Sequence, residues 1–264
     1  MKELLQIEWL KVKGYRTFWI LISLFVLAVL GINYISFYIN MKVNSTTSAV
    51  GLGTGNPFGF PNIWNTVAWM SSWVLFFPGF IIIFLITNEY SFKTHRQNII
   101  DGLSRRQFVW VKLWVALILA IASTLVVLLT TLIFGLASGS TFTLAGIQYT
   151  GYYFIASLIY ILFALLLAFL LRRAALAVGI YFIYGLIIDN IIPGLLRNSF
   201  EGKPYGTYLM PLDVADGLLP FPFFKSQVQM VVQTPNAYIC LAICIAWIIF
   251  YHWFTLRKFE RDDL

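Results

Sequence analysis

The side chains that could do chemistry in this sequence are few. His95 and His252 are far apart, and neither stands in the spacing of a metal site. No nucleophile elbow and no His-Glu-x-x-His pattern is present. In the only Gly-Lys pair, Gly202-Lys203, Pro204 follows where a phosphate-binding loop needs Ser or Thr. The residues therefore predict no enzyme, no metal site and no cofactor held by this chain.

One polar segment, residues 88–107, carries most of the interpretable signals. Thr94 and Gln97 fit a capping box that starts a helix, and Gly102 fits a helix stop. Ser104 and Gln107 fit a second capping box that starts the next helix. The spacing predicts a short helix over 94–102, separated from the longer helices on either side.

That short helix carries both apolar and charged groups. Its apolar side chains predict a patch that needs a partner if it is exposed at a surface. They are Ile99, Ile100 and Leu103. The cations are Arg96, Arg105 and Arg106.

Asp189 is the only acidic residue inside an apolar run. Acids within a membrane are candidates for a transport pathway. Its place near the end of its run, beside Asn190 and Pro193, also fits an interfacial acid near water. Midway along another run, Pro78-Gly79 predicts a kink.

These residues are set among long apolar runs. The chain has 264 residues, of which 60% are hydrophobic and 11% charged, and soluble domains carry about twice that share of charge. Six runs reach the length of about 20 residues that a spanning helix needs. They cover residues 18–39, 63–87, 108–137, 152–171, 174–192 and 237–256. The sequence predicts one all-α integral membrane domain over 1–264.

The basic residues predict its orientation. Of 18 Lys and Arg, 14 fall at the ends of the chain or in the second and fourth connections. Cytoplasmic loops hold the excess of Lys and Arg, so both termini are expected in the cytoplasm. Because the cations form short clusters between apolar runs, the net charge of +7 indicates membrane lipid rather than nucleic acid as the partner.

Two further segments are expected to lie at the membrane surface. Residues 1–16 predict an interfacial helix with Leu5, Trp9 and Val12 on one face. The connection 193–236 is rich in proline but apolar in its middle, which predicts re-entrant or interfacial pieces at the outer side.

The block from Glu89 to Lys112 resembles the membrane subunits of type-2 ABC exporters. These permeases show an acid at the inner end of span two, then a Thr-containing turn, a Gly, a Ser/Pro-Arg pair and a Lys that enters span three. Glu89, Thr94, Gly102, Ser104-Arg105 and Lys112 fill those places. His95 and the Arg-Arg pair at 105–106 depart from the pattern, which leaves the subfamily open.

The resemblance implies a function and partners. Two such subunits, identical or homologous, would form the membrane unit in the cytoplasmic membrane of a bacterium. A separate ABC-type ATPase subunit would hold ATP and Mg²⁺, and the helix 94–102 would couple it to export. The coupling residues implied are Glu89, Thr94, Arg96, Asp101, Gly102, Arg105 and Arg106, with Arg172 and Arg173 in a second contact.

Three other functions compete with this interpretation. A secondary transporter or channel would need charged residues at mid-membrane, which the runs lack. An intramembrane enzyme would need paired catalytic groups. A membrane scaffold is not excluded. The apolar, aromatic pathway favours an amphiphilic, lipid-like or peptide cargo.

Overall fold

The computed structural model describes residues 2–47, 56–100, 102–189, 191–193, 195, 209–223 and 236–261. Within these ranges the chain is helical with connecting turns and contains no strand. In chain order the helices are α1 (Lys2–Lys13), α2 (Arg16–Thr47), α3 (Ile63–Ser72), α4 (Phe76–Ser91), α5 (Thr94–Ile100), α6 (Arg105–Ala137), α7 (Gln148–Leu171), α8 (Ala174–Ile183), α9 (Pro211–Asp216) and α10 (Ala237–Arg261). One π-helical turn, Tyr184–Ile188, continues α8.

Five of the described helical segments are long and apolar enough to cross a membrane. They are Arg16–Lys42, Arg105–Ala137, Gln148–Leu171, Ala174–Pro193 and Ala237–Phe259. The pair α3 and α4, bent by 45°, gives a sixth span if it is counted as one. The structure therefore confirms the all-α integral membrane fold class.

Helix α7 forms the centre of the bundle. Of its most apolar window, 72% is buried inside the protein, and it packs against α3, α4, α6, α8, α9 and α10. The corresponding windows of α2, α8 and α10 are about one fifth buried. An apolar helix surface that the protein does not cover is stable only in contact with lipid or another apolar partner.

The second span breaks earlier than the sequence suggested. The kink was expected at Pro78-Gly79, but the break lies at Trp73–Leu75, between α3 and α4. A proline ring clashes with the carbonyl of the residue four places earlier, here Val74. Pro78 thus falls in the first turn of α4, where its missing N–H needs no partner.

The bundle has two chemically distinct ends. We call the end that carries α1, α5 and the α7–α8 turn the basic end. The last turns of α10 also reach it, because the ring of Phe259 stacks on Phe108 at 5.1 Å. At the opposite end, Trp64 donates a hydrogen bond to the Thr143 carbonyl, and Asn65 donates one to Pro220. Helix α1 and the last turns of α10 therefore lie at the same end of the bundle.

Helix α1 forms where the sequence predicts a helix, and part of the face that it turns toward the bundle is polar. Val12 is buried, but Trp9 and Leu10 are exposed by 53% and 68%. The polar side chains of Glu8 and Lys11 turn toward the other helices instead, because they form ion pairs there. Trp9 lies three residues before Val12 on the same helix, but the described residues do not cover it.

The described part of the long connection before α10 packs on the bundle. Leu212, Val214 and Leu219 are buried, and α9 contacts α7 and α10. This agrees with the apolar pieces expected there. Residues 194, 196–208 and 224–235 of that connection lie outside the described ranges.

Candidate functional site: the short helix at the basic end

Helix α5 is a two-turn element held between two sharp turns. It begins at Thr94, as the sequence predicted, after Lys93 with a φ of +56°. After α5, Gly102 adopts a φ of +101°, a conformation that glycine reaches without strain. Ser104 and Gln107 then form the predicted capping box that starts α6. The chain thus separates α5 sharply from α4 and α6.

Two side chains tie α5 to the last turn of α4. Nδ1 of His95 lies 3.0 Å from the carbonyl oxygen of Glu89, and the Thr94 hydroxyl donates to the same oxygen at 3.5 Å. The His95 ring also packs against Tyr90, with 4.5 Å between centroids. Thr94 therefore bonds back to α4 instead of forming the expected box with Gln97. His95, which the sequence did not single out for this role, is the buried anchor of α5.

Below α5, four charged side chains from three helices form one cluster, which we call the ionic cluster: Glu8, Lys11, Glu89 and Lys112. Nζ of Lys112 lies 2.6 Å from Oε1 of Glu89 and also contacts Oε2 of Glu8. Nζ of Lys11 lies 2.8 Å from Oε1 of Glu8 and 3.1 Å from Oε1 of Glu89. The cluster therefore joins α1, α4 and α6.

The ionic cluster balances two carboxylates against two ammonium groups in a nearly dry place. The side chains of Lys112 and Glu89 are 2% and 8% exposed. Burial raises the pKa of Glu8, but the ion pairs with Lys112 and Lys11 outweigh it and hold that pKa below 4.5. Burial lowers the pKa of Lys11, but Glu89 and Glu8 outweigh it and raise that pKa above 10.5.

Sequence inspection missed half of this cluster. Glu89 and Lys112 were singled out, whereas Glu8 and Lys11 were not. Their three-residue spacing puts both on one helix face, and that spacing of opposite charges was the available signal. Glu89 was expected to act with the arginines from Arg96 to Arg106, but its ion-pair partners are lysines.

The surface around α5 is open and partly apolar. Phe92 and Ile100, on either side of α5, are exposed by 77% and 83%. Arg96 and Arg106 are exposed as well, and Arg105 is half-buried. A cavity of about 380 Å³ separates α5 from α1. Its lining consists of Leu4, Ile7, Glu8, Lys11, Asn98, Gly102, Leu103, Phe108 and Val111.

The turn between α7 and α8 lies beside α5. Arg172 ends α7 with a φ of +54°, and its guanidinium lies 5.4 Å from the centroid of the Tyr90 ring. Because Tyr90 also packs on His95 of α5, the tertiary structure brings this turn next to α5. Arg173 follows and is exposed. Asp101 lies outside the described residues.

Asp189 is not part of this region. It lies at the end of the π-helical turn and contacts the start of α9, whose residues Leu212 and Asp213 offer their N–H groups to its carboxyl. Its side chain is 3% exposed. The expectation of an interfacial acid near water was wrong, because α9 covers it.

The described residues hold no group of three or more His, Cys, Asp or Glu side chains that could bind a metal ion. Helix α5 is short, is bound to α4 through His95 and Thr94, is followed by the capped start of α6, and is open on its outer side.

Comparison with known proteins identifies the family. The family model described as ABC-2 family transporter protein matches residues 4–188, which include the ionic cluster and α5. No curated protein matches the chain. A match over more than half of the chain shows family membership, and it agrees with the resemblance of residues 89–112 to type-2 ABC permeases. The chain therefore belongs to the ABC-2 transporter family and is a membrane permease component of an ABC transporter.

Proposed function

We propose that this chain is the transmembrane subunit of an ATP-driven exporter, and that α5 is the coupling helix that docks on a separate ATPase subunit. The observation that carries the proposal is the construction of α5. It exposes Phe92 and Ile100, while His95 and Thr94 bind it to α4 and a capped turn joins it to α6. Apolar groups exposed beside cations need a partner.

A coupling element must pass a displacement on without bending. Helix α5 is too short to bend within itself, and α6 is about 50 Å long. The ionic cluster fixes α1, α4 and α6 to one another just behind α5. A displacement of α5 is therefore expected to move the adjoining ends of spans two and three together.

The proposal extends to orientation and assembly. The basic end faces the cytoplasm of a bacterial cell, because Lys and Arg accumulate there. ATP and Mg²⁺ are bound by the ATPase subunit. A second permease copy or a homologous permease covers part of the apolar surface of the peripheral spans, and an amphiphilic cargo leaves through the opposite end.

The test is capture of the ATPase by the tagged chain from its native membrane in mild detergent. We expect a stoichiometric ABC-type ATPase with the unchanged chain, and its loss with Ile100→Asp and with Arg105→Glu/Arg106→Glu. The matched control is Arg257→Glu/Lys258→Glu, which reverses two adjacent exposed cations of α10 at the same end.

Two results would contradict the proposal. One is a chain that is purified alone or only with copies of itself, which would favour a secondary transporter working without ATP. The other is equal loss of the ATPase in the α5 and α10 variants, which would show a general charge effect rather than docking on α5.

A further inference from the structure

A second polar cluster lies at the opposite end of the bundle, around α9. Asp216 accepts a hydrogen bond of 2.9 Å from the hydroxyl of Tyr160 on α7. Asp189, from the span that ends in the π-helical turn, meets the N–H groups of Leu212 and Asp213. The two carboxylates thus flank α9 at its two ends and interact electrostatically with each other.

Among the residues that the structure describes, Asp189 and Asp216 have no cationic partner. Oδ1 of Asp189 is buried and has no hydrogen-bond partner. Within the described ranges, neither Asp189 nor Asp216 forms an ion pair, and the ion pairs that do occur there are those of the ionic cluster. A carboxylate that is removed from water needs a cation or a proton close by.

A second buried polar group, on α10, belongs to a residue that packs on Phe163. The hydroxyl of Tyr251 is buried, with 2% of the residue exposed, and has no hydrogen-bond partner. It interacts electrostatically with Asp189. A native protein rarely leaves a buried hydroxyl unpaired, so this hydroxyl and the unpaired oxygen of Asp189 are two buried polar groups that a ligand can satisfy.

An aromatic cluster lies next to Asp189, because the Tyr184 side chain forms a hydrogen bond with its carboxyl. Phe163 packs against Tyr184 at 4.6 Å, against Tyr181 at 5.9 Å and against Tyr251 at 6.0 Å between centroids. Aromatic faces attract organic cations through the negative face of the ring, and together with carboxylates they recognise ammonium groups.

The composition and accessibility of this cluster restrict the class of ligand further. The described residues form no set of ligands for a metal ion, so a bare metal ion is disfavoured. Asp216 is exposed whereas Asp189 is buried. A charged group could therefore meet the outer carboxylate before it reaches the inner one.

We propose that Asp189, Asp216 and the rings of Phe163, Tyr184 and Tyr251 form a subsite for the ammonium group of the transported substrate. The inference rests on the proposed function as a permease, and it narrows the substrate class to cationic amphiphiles. The ammonium group neutralises Asp189 and lies against the tyrosine faces, while the apolar part of the substrate follows the lipid-like surface of the spans.

The experiment measures binding of radiolabelled benzyltrimethylammonium to the full chain in nanodiscs by equilibrium dialysis, with empty nanodiscs subtracted. We expect saturable binding that is weakened about tenfold or more by Asp189→Asn, since a factor of ten corresponds to about 1.4 kcal/mol. Asp216→Asn should weaken it by a smaller factor. Asp189→Glu keeps the charge and should retain most of the binding. Neopentylbenzene, the uncharged carbon isostere, should not compete.

Two results would overturn the subsite. One is the absence of saturable binding to the unchanged chain, which would leave protonation as the way Asp189 is neutralised. The other is equal binding by the unchanged chain and both Asn variants. If Asp189→Asn does not fold, Asp216→Asn decides, because its side chain is exposed. The assay contains no ATPase, so ammonium binding without ATPase capture would contradict only the exporter, and capture without binding only the subsite.

Discussion

At the residue scale, Lys112 shows how a long cationic side chain is accommodated inside an apolar bundle. It is 2% exposed and contacts a carboxylate from α1 and one from α4. Both bonds are charge-assisted, and they offset the cost of removing three ions from water only while all the partners are present. The cluster therefore specifies how three helices meet more than it adds net stability.

Replacing Lys112 by Met should destabilise the protein strongly. The change leaves Glu8 and Glu89 buried with only Lys11 between them, and breaking a buried pair costs about 3 kcal/mol or more. Thermal unfolding of the purified chain, followed by loss of the monodisperse peak, measures the effect. Arg106→Met removes an exposed cation from the same helix and should change the midpoint little. Equal shifts in both variants would show that burial of the charge is not the cause.

The attachment of α1 should depend on pH in a defined way. Because the folded pKa of Glu8 lies below its ordinary 4.5, its stabilisation is complete above 4.5 and is lost as the pH falls through the lowered value. Because the pKa of Lys11 is raised above 10.5, its stabilisation is complete below 10.5 and is lost as the pH rises through the raised value. Between these limits, α1 should stay docked.

Spin labels on Gln6→Cys and Gln107→Cys, in a Cys240→Ser/Cys244→Ser background, measure this docking as a distance. The distribution should stay narrow from pH 5 to pH 10 and broaden at lower pH. With Glu8→Gln added, the narrow distribution should be lost within that window too. A distribution that follows pH identically with and without Glu8 would refute the assignment of the titration to Glu8.

At the element scale, glycine decides how closely α4 and α8 approach. A Cβ on Gly79 would lie 2.3 Å from the hydroxyl oxygen of Tyr181, whose ring is fully buried and has no room to move. Gly179, on α8 itself, has open space in the same position. The two glycines look alike in the sequence, and only the packing distinguishes them.

Gly79→Ala should therefore destabilise the chain by about 1–3 kcal/mol through overpacking, and Gly179→Ala should not. The two apparent melting midpoints, measured in the same detergent, make the comparison. Adding Tyr181→Ala to Gly79→Ala removes the clash and should make the glycine replacement neutral relative to Tyr181→Ala alone. If Gly79→Ala remains as costly in that background, the contact with Tyr181 is not its cause.

At the scale of the whole molecule, the charged groups are divided between the two ends. The basic end gathers the ionic cluster, α5 and the Arg172 turn, while the opposite end holds Asp189 and Asp216. Helix α7 crosses between them, with Tyr160 in contact with Asp216 and Phe169 in contact with Tyr90. A displacement at α5 can reach the acidic end through this buried helix, because packed interiors transmit strain.

Sidedness is tested with single cysteines in the Cys240→Ser/Cys244→Ser background. An impermeant maleimide should label Thr141→Cys, exposed on the α6–α7 turn at the opposite end, in intact cells. Gln97→Cys, exposed on α5, should react only after the membrane is permeabilised. The reverse pattern would invert the proposed orientation and place α5 outside the cell.

Most helices of this protein could be predicted from its sequence. Apolar run length gave the spans, since a bilayer accepts only helices of sufficient length and apolarity. Local chemistry predicts the turn at Gly102 and the cap at Ser104, because a cap depends on residues within one turn of each other. Helix α5 begins at Thr94 as predicted, although Thr94 bonds back to α4 and not to Gln97.

Tertiary structure alone decided which distant groups meet. Glu8 and Lys112 are separated by 104 residues, and Tyr160 and Asp216 by 56. Nothing in local spacing reveals such pairs, because they depend on the rotation and depth of helices that pack independently of sequence order. The same limit explains why the ion pairs of Glu8 were not predicted and why Asp189 was expected near water. A helix period gives a stripe, but only the neighbouring helices decide whether lipid, water or protein covers it.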